Sequence, residues 1–270
     1  MSYGRGNKYR PDKKRVSEAP GETSHEIIYG RNTVQEALKS GRSINKICFS
    51  GEMSGSLGAI IAEAKSNNIV VVKQSREKLD ELCGNGNHQG VAAYVAAADY
   101  ADVDDILKLA EEKGEDPFII ILDEIQDAGN LGAIIRTADA VGAHGIIIPK
   151  RRAVPLTGAV AKASSGAVSY VKVARVPSIV NTIEELKKKG LWVTGTAADG
   201  KTTFYNADFS GPVAVVIGNE AEGMGRLVAE KCDYTVNIPM AGTVSSLNAS
   251  VAAGVVLYEV FRQRTHRNNK

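Results

Sequence analysis

The stretch "FIIILDEIQDAGNLGAIIRTADAVGAHGIIIP", residues 118–149, decides how this chain folds. It opens with five consecutive apolar residues, more than the alternation of a strand with one wet face allows. A polar turn follows. Leu131, Ile134, Ile135, Ala138 and Val141 then recur at helical spacing on one face. A second apolar run, "GIIIP", closes the unit. Fully apolar strands separated by an amphipathic helix predict a parallel sheet covered on both faces.

The pattern continues to the C-terminus. Helices are predicted around "PLTGAVAKASSGA", over "SIVNTIEELKKKG" and from 224 to 232, with strands at "LWVTGT", "PVAVVIGNE" and "YTVNIPM" and a helix at the end. Upstream, "IIYGRNTVQEALKSG" reads as a helix starting near Asn32 or Thr33 and stopped by Gly41. "INKICFS", "IVVV" and "GVAAYVA" read as strands, with helices at "LGAIIAEAKSNN" and at "SREKLDELCG", where Ser75 fits an N-cap. The expected organisation is a basic disordered tail at 1–24, a small α/β domain at 25–97, an acidic and weakly helical linker at 98–116 and a parallel-sheet domain at 117–270.

Composition sets the frame. The 270 residues are 43% hydrophobic and 24% charged, as in an ordinary soluble protein, and can form two cores. Net charge is only +2, so nothing global requires a nucleic-acid partner. The charge is uneven, however. "MSYGRGNKYRPDKKR" carries six Lys or Arg against the single acid Asp12, and the C-terminal "RQRTHRNNK" is basic as well. Such arms suit salt-sensitive phosphate contacts or plain solvation. No apolar core follows the basic N-terminus and no run reaches membrane-spanning length, so the cytoplasm is expected. Cys48, Cys83 and Cys232, with four scattered histidines, speak against a zinc site or a disulfide framework, and no metal is expected.

In parallel sheets, ligands bind beyond the carboxyl ends of the strands. Three polar clusters fall there. In the first, Asn130 opens a helix and Arg136 lies nearly two turns in, off the apolar stripe. In the second, "VIGNEAEGMG", a strand breaks at Gly218 and supplies Asn219 and Glu220. The spacing matches neither G-x-G-x-x-G nor G-x-x-x-x-G-K-[ST], which counts against dinucleotide enzymes and removes P-loop NTPases. The third is "IPMAGTVSSLNASVAAGVVLYE", where Ser245, Ser246 and Asn248 crowd the mouth of a small, apolar helix. One cap needs one residue, so the surplus asks for another explanation.

Taken in order, "NLGAIIRTADAVGAHGIII", "VVIGNEAEGMG" and "IPMAGTVSSLNASVAAGVVLYE" closely resemble the three motifs of the SpoU (TrmH) family. These are S-adenosylmethionine-dependent RNA ribose 2′-O-methyltransferases of the SPOUT class. "YGRNTVQEAL" and "HQGVAAYV" resemble the RNA-binding domain that precedes the catalytic one in the rRNA branch. The resemblance implies a C-terminal trefoil knot holding the cofactor, a homodimer, and methylation of a guanosine in 23S rRNA. It places Gly195, Thr196, Gly218, Asn219, Ile238, Met240 and Leu247 around S-adenosylmethionine, with Gly218 admitting close approach by lacking a Cβ.

It also implies catalytic roles for Arg136, Asn130, Glu220, Ser246 and Asn248. Glu220 would hold Arg136 or Asn248, Asn130 would support the first motif's turn, and Ser246 and Asn248 would face the reaction centre. A guanidinium rarely gives up its proton, so Arg136 is expected to orient the ribose hydroxyl or to anchor a phosphate. Lys150, Arg151 and Arg152 in "PKRRAVPLTG" are expected to contact RNA phosphates. The competing readings are a tRNA 2′-O-methyltransferase, a non-catalytic RNA-binding or assembly protein of this fold, and an ordinary nucleotide enzyme.

Overall fold

The computed structural model describes residues 26–243 and 246–267; the tail at 1–24 and Ser245 lie outside them. Among the described residues the strands form two sheets. The smaller is built from β1 (Glu26–Tyr29), β2 (Ile44–Phe49), β3 (Val70–Lys73) and β4 (Val91–Val95), in the order β1-β4-β2-β3. β4 runs antiparallel to β1 and β2, and β2 runs parallel to β3. Alternation along the strands sends neighbouring side chains to opposite faces. On one face α1 (Arg31–Lys39) and α2 (Gly55–Ser66) bury Val34, Leu38, Leu57 and Ile60 against Ile47 and Ala93. On the other, α3 (Arg76–Leu82) lays Leu79 against Cys48 and Ala92. Ser75 caps α3 as expected, its hydroxyl accepting from Lys78 N at 3.3 Å.

The acidic segment 98–116 is not a free linker. It holds α4 (Val103–Lys113), which Gly114 ends in the left-handed region at φ +66°. Val103, Ile106, Leu107 and Ala110 form a stripe at i, i+3, i+4 and i+7 that faces the large domain, while the acidic residues face out. Ile106 fills the space beside Gly145, where a Cβ would lie 2.6 Å from its Cδ1. The helix is the first covering element of the second sheet.

That sheet contains β5 (Phe118–Leu122), β6 (Gly145–Pro149), β7 (Val173–Val176), β8 (Trp192–Thr196), β9 (Thr202–Thr203), β10 (Val213–Ile217) and β11 (Tyr234–Asn237). Their order is β7-β6-β5-β10-β8-β11-β9, and every pairing is parallel, as the apolar runs predict. All residues of β5 and β10 are buried. One face is covered by α5 (Ala128–Ala140), α6 (Gly158–Ala163) and α9 (Ala249–Arg267), through residues such as Ile134, Val160 and Leu257. The other is covered by α4, α7 (Ile179–Lys188) and α8 (Arg226–Lys231), through Ile106, Ile183 and Val228.

Two local expectations need correction, and one strand was not expected. The predicted strand "YTVNIPM" stops at Asn237, because Pro239 offers no N–H to a ladder and Ile238 to Met240 leave the sheet. The helix expected from 224 is confined to Arg226–Lys231, since the Gly225 N–H is held by Asp123 at 2.7 Å. The two-residue edge strand β9 carries no pattern long enough to read.

The order of strands makes the site. After β5 the chain moves outward to β6 and β7, then crosses to β8 on the other side, and β10 returns to lie between β5 and β8. Because all are parallel, the carboxyl ends of β5, β10, β8 and β11 share one edge of the sheet. The crevice forms there, where the order of strands reverses.

Candidate functional site

A cavity of about 550 Å³ opens at that edge. Its walls come from the ends of β8 (Thr196 to Asp199), β10 (Ile217 to Met224) and β11 (Val236, Ile238, Met240), closed by Ser246, Leu247, Ala249 and Ala252 at the start of α9. Of the residues expected around a cofactor, Thr196, Gly218, Asn219, Ile238, Met240 and Leu247 line it. Gly195 does not. A Cβ there would lie 2.6 Å from Met224 Cε and 3.0 Å from Cys232 Sγ, so this glycine seats Met224, which is itself a wall residue.

Gly218 lines the cavity, and the fold itself also requires a glycine there. Its missing Cβ would lie 2.3 Å from Gly223 C and 2.4 Å from Met224 N. The glycine lets the chain fold back on itself. Asn219 N donates to Gly223 O at 3.0 Å and Gly223 N returns a bond to Asn219 O at 2.9 Å, closing the loop. The Asn219 side chain ties it outward, its Nδ2 donating to Glu124 O at 3.1 Å while its Oδ1 accepts from Ala221 N at 2.9 Å. Beneath the loop, burial pushes the Asp123 carboxyl pKa up, and the Gly225 N–H partly offsets this. Burial likewise pushes Cys232 up to about 12, so it is a packing thiol rather than a nucleophile.

Three of the catalytic candidates, Asn130, Glu220 and Asn248, meet in a chain of amides and carboxylate. Asn130 Nδ2 donates to Glu220 Oε1, and Asn130 Oδ1 accepts from Asn248 Nδ2 at 2.9 Å. Three segments more than a hundred residues apart at their extremes thus converge. Glu220 holds Asn130, and its tie to Asn248 runs through that residue. Asn248 also caps α9: its Oδ1 accepts from Ser250 N at 3.0 Å, Ser250 Oγ at 2.6 Å and Val251 N at 3.3 Å. Capping and network therefore use opposite ends of one amide. Ser246 is exposed on the cavity wall. Asn130 does not open its helix; Asp127 does, with its Oδ1 accepting from Asn130 N at 2.8 Å. The signal was legible as an Asp three residues before the first polar helical position.

Arg136 is exposed on α5, and its Nη1 donates to Ser165 Oγ at 3.4 Å. The side chain stands clear of the apolar stripe, as the sequence predicts, and leaves Glu220 to Asn130. Lys150, Arg151 and Arg152 form a separate rim. Arg152 pairs with Glu124 at 3.0 Å, whose carbonyl holds Asn219, so this loop adjoins the cavity wall. Arg151 is exposed, and burial together with nearby Arg175 lowers the pKa of Lys150.

The charged residues lining the cavity are Asp199, Glu220 and Glu222. Asp199 and Glu222 carry no sequence signal beyond lying after strand ends, and neither was anticipated. An apolar floor of Ile217, Val236, Ile238 and Leu247 with an acidic rim suits a ligand that joins an apolar or aromatic body to positive charge. S-adenosylmethionine, with its adenine, sulfonium and ammonium, has that form, and the volume falls within the usual range of small-molecule sites. Among the described residues, no three His, Cys, Asp or Glu side chains stand together in a way that could hold a metal ion, and no helix is long and apolar enough to cross a membrane.

Comparison with known proteins agrees with this geometry. Residues 117–258 match the SpoU rRNA Methylase family, and residues 27–101 match the RNA 2′-O ribose methyltransferase substrate binding family. The putative TrmH family tRNA/rRNA methyltransferase YacO of Bacillus subtilis (strain 168) is 53% identical over 241 residues, covering 89% of this chain and 96% of that protein. The SpoU methyltransferase AviRb from Streptomyces viridochromogenes, solved in complex with AdoMet, matches with a TM-score of 0.57 at 28% identity. That match covers 89% of this chain and 90% of AviRb. An AdoMet-bound rRNA methyltransferase from Sinorhizobium meliloti matches with a TM-score of 0.55 at 27% identity, over 87% of this chain and 86% of that one. With both halves matched in order, and a relative of this identity over nearly the whole length, the chain belongs to the SpoU (TrmH) family of RNA methyltransferases.

Proposed function

We propose that this protein methylates a ribose 2′-hydroxyl in RNA, with S-adenosylmethionine as donor and a guanosine of 23S rRNA as target. The observation that carries this reading is the acidic-rimmed apolar cavity bordered by the Glu220–Asn130–Asn248 chain. When bound, the donor supplies an electrophilic methyl group on a good, neutral leaving group. The protein's own task is to position the hydroxyl in line with that methyl and to ease loss of its proton. Arg136 does this by orienting the 2′-oxygen or an adjacent phosphate, since arginine keeps its charge at neutral pH and offers a planar fork of donors. Glu220 and Asn130 hold Asn248, and with it the start of α9, against the cavity. Thr196, Asn219, Ile238, Met240 and Leu247 hold the cofactor, with Gly218 and Gly195 shaping the loop and wall behind them.

Lys150, Arg151 and Arg152 contact the RNA backbone, and the small domain selects the RNA. Supporting the latter is a polar cleft of about 1010 Å³ at its loop end, lined by Arg31, Arg76, Asn85, Asn87 and Gln89 among others. A second copy of the chain pairs along α9, where Val251, Tyr258 and Phe261 form an exposed apolar stripe. The late insertion of β10 between β5 and β8, with α9 returning onto α5, supports a trefoil knot in the C-terminal chain. The deciding experiment is transfer of labelled methyl to 23S rRNA and to tRNA transcripts, followed by mapping of 2′-O-methyl positions. Transfer to tRNA alone would move the target to the other branch of the family. Absence of transfer to any RNA, with cofactor bound, would leave a binding protein of this fold.

A further inference from the structure

The two domains meet through a polar knot of side chains. Asn45 is the extra residue of a bulge in β2: Ile44 pairs with Val95 and Lys46 with Tyr94, so Asn45 has no partner in the ladder. Freed from it, the Asn45 carbonyl accepts from Arg175 Nη1 at 3.3 Å, across the domain boundary on β7. Its Nδ2 donates to Leu156 O at 3.0 Å, and its Oδ1 accepts from Tyr100 Oη at 2.7 Å. Tyr100 Oη in turn accepts from Leu156 N at 2.8 Å, and its ring lies 5.0 Å from the Arg175 guanidinium. Arg175 Nη2 donates to Lys150 O at 3.2 Å. Ala97 N donates to Leu156 O at 3.0 Å, and Ala101 N to Val173 O at 2.9 Å.

Residues 150–156 are the loop that carries the basic triplet. Arg175 fixes one end and Tyr100 with Asn45 fixes the other, while Arg152 reaches Glu124 beside the cavity wall. We infer that Asn45, Tyr100 and Arg175 are positioning residues that hold the small domain and the basic loop at one fixed offset from the methyl-transfer cavity. RNA is then gripped at two places by a rigid body. This rests on the reading that the small domain binds RNA. A rigid link lets the second contact form at high effective concentration, and a loosened one forfeits that advantage without touching either surface. The bulge supports the inference, because such irregularities commonly re-aim a residue out of the sheet.

The test uses the full chain and an RNA transcript that the wild-type protein methylates. Tyr100→Phe keeps the ring but removes the hydroxyl that joins Asn45 to Leu156. Arg175→Lys keeps the charge but loses the fork that spans Asn45 O and Lys150 O. Each variant should raise KM for RNA tenfold or more, with kcat at saturating RNA within about twofold of wild type and cofactor affinity unchanged by calorimetry. An unchanged KM in both variants overturns the inference. So does a matching loss of kcat and cofactor affinity, which would mean general damage to the fold. Arg31→Glu with Arg76→Glu serves as the separate arm. If that pair also leaves KM unchanged, RNA selection by the small domain is what fails, and the junction's role falls with it. If that pair raises KM while the junction variants do not, only the junction inference is wrong.

Discussion

Gly218→Ala separates two reasons for the same glycine. If Gly218 served only to admit the cofactor, a methyl group would weaken binding and leave the free protein untouched. The structure gives it another role, because the new Cβ would lie 2.3 Å from Gly223 C, 2.4 Å from Met224 N and 2.6 Å from Gly223 O. These are backbone atoms and cannot swing away. Overpacking of this kind costs about 1–3 kcal/mol, and opening the loop gives up the two Asn219–Gly223 hydrogen bonds, about 1 kcal/mol each at most. A total of about 1–5 kcal/mol predicts at least ~5-fold weaker S-adenosylmethionine binding if the loop must be restored on binding. The cofactor-free protein should melt about 2 °C lower or more if the strain is retained instead. Gly242→Ala is the control, since its added Cβ meets nothing within 4 Å. Calorimetry and thermal melting of both variants without and with cofactor give the comparison. A Gly218→Ala protein that melts as wild type when cofactor-free and binds as wild type would refute the reasoning.

Arg136→Ala should cost on the order of a hundredfold or more in methyl-transfer rate, with cofactor affinity intact, and lysine should rescue poorly; near-normal turnover in Arg136→Lys would show that charge alone suffices. Asn248→Asp keeps the oxygen that caps α9 but loses the amide donated to Asn130, so melting should change little while turnover falls tenfold or more. Full turnover in that variant would reduce Asn248 to a cap. Burial holds the folded-state pKa of His144 below its unfolded value, and its Nδ1 accepts from Phe118 N at 3.0 Å. The unfolded state therefore binds more protons as pH falls below about 6.5, and stability present above that pH should be lost on acidification. His144→Gln should show a shallower loss in melts between about pH 6.5 and 5, and an unchanged slope would assign the acid sensitivity elsewhere.

The sequence by itself determined the parallel sheet and the edge at which its cavity opens. Runs such as "FIIIL" and "VAVVI" admit no wet face, and the periodic stripe of Leu131, Ile134, Ile135 and Ala138 has to cover them. The motif residues Asn130, Glu220 and Asn248 could be singled out by type and position after strand ends. Their partners could not. Whether Glu220 would meet Arg136, Asn248 or Asn130 depends on where β10 inserts into the sheet, and pairing order is a long-range property that local pattern does not encode. The same holds for the reason behind Gly218, which depends on a contact five residues away across a closed loop, and for Asp199 and Glu222 at the rim. The acidic stretch before Pro117 was legible as weakly helical but not as a docked element, because its charges outnumber the narrow stripe of Val103, Ile106, Leu107 and Ala110. A helix needs only one apolar face to dock, and only the tertiary structure supplied the surface, at Gly145, that this face fits.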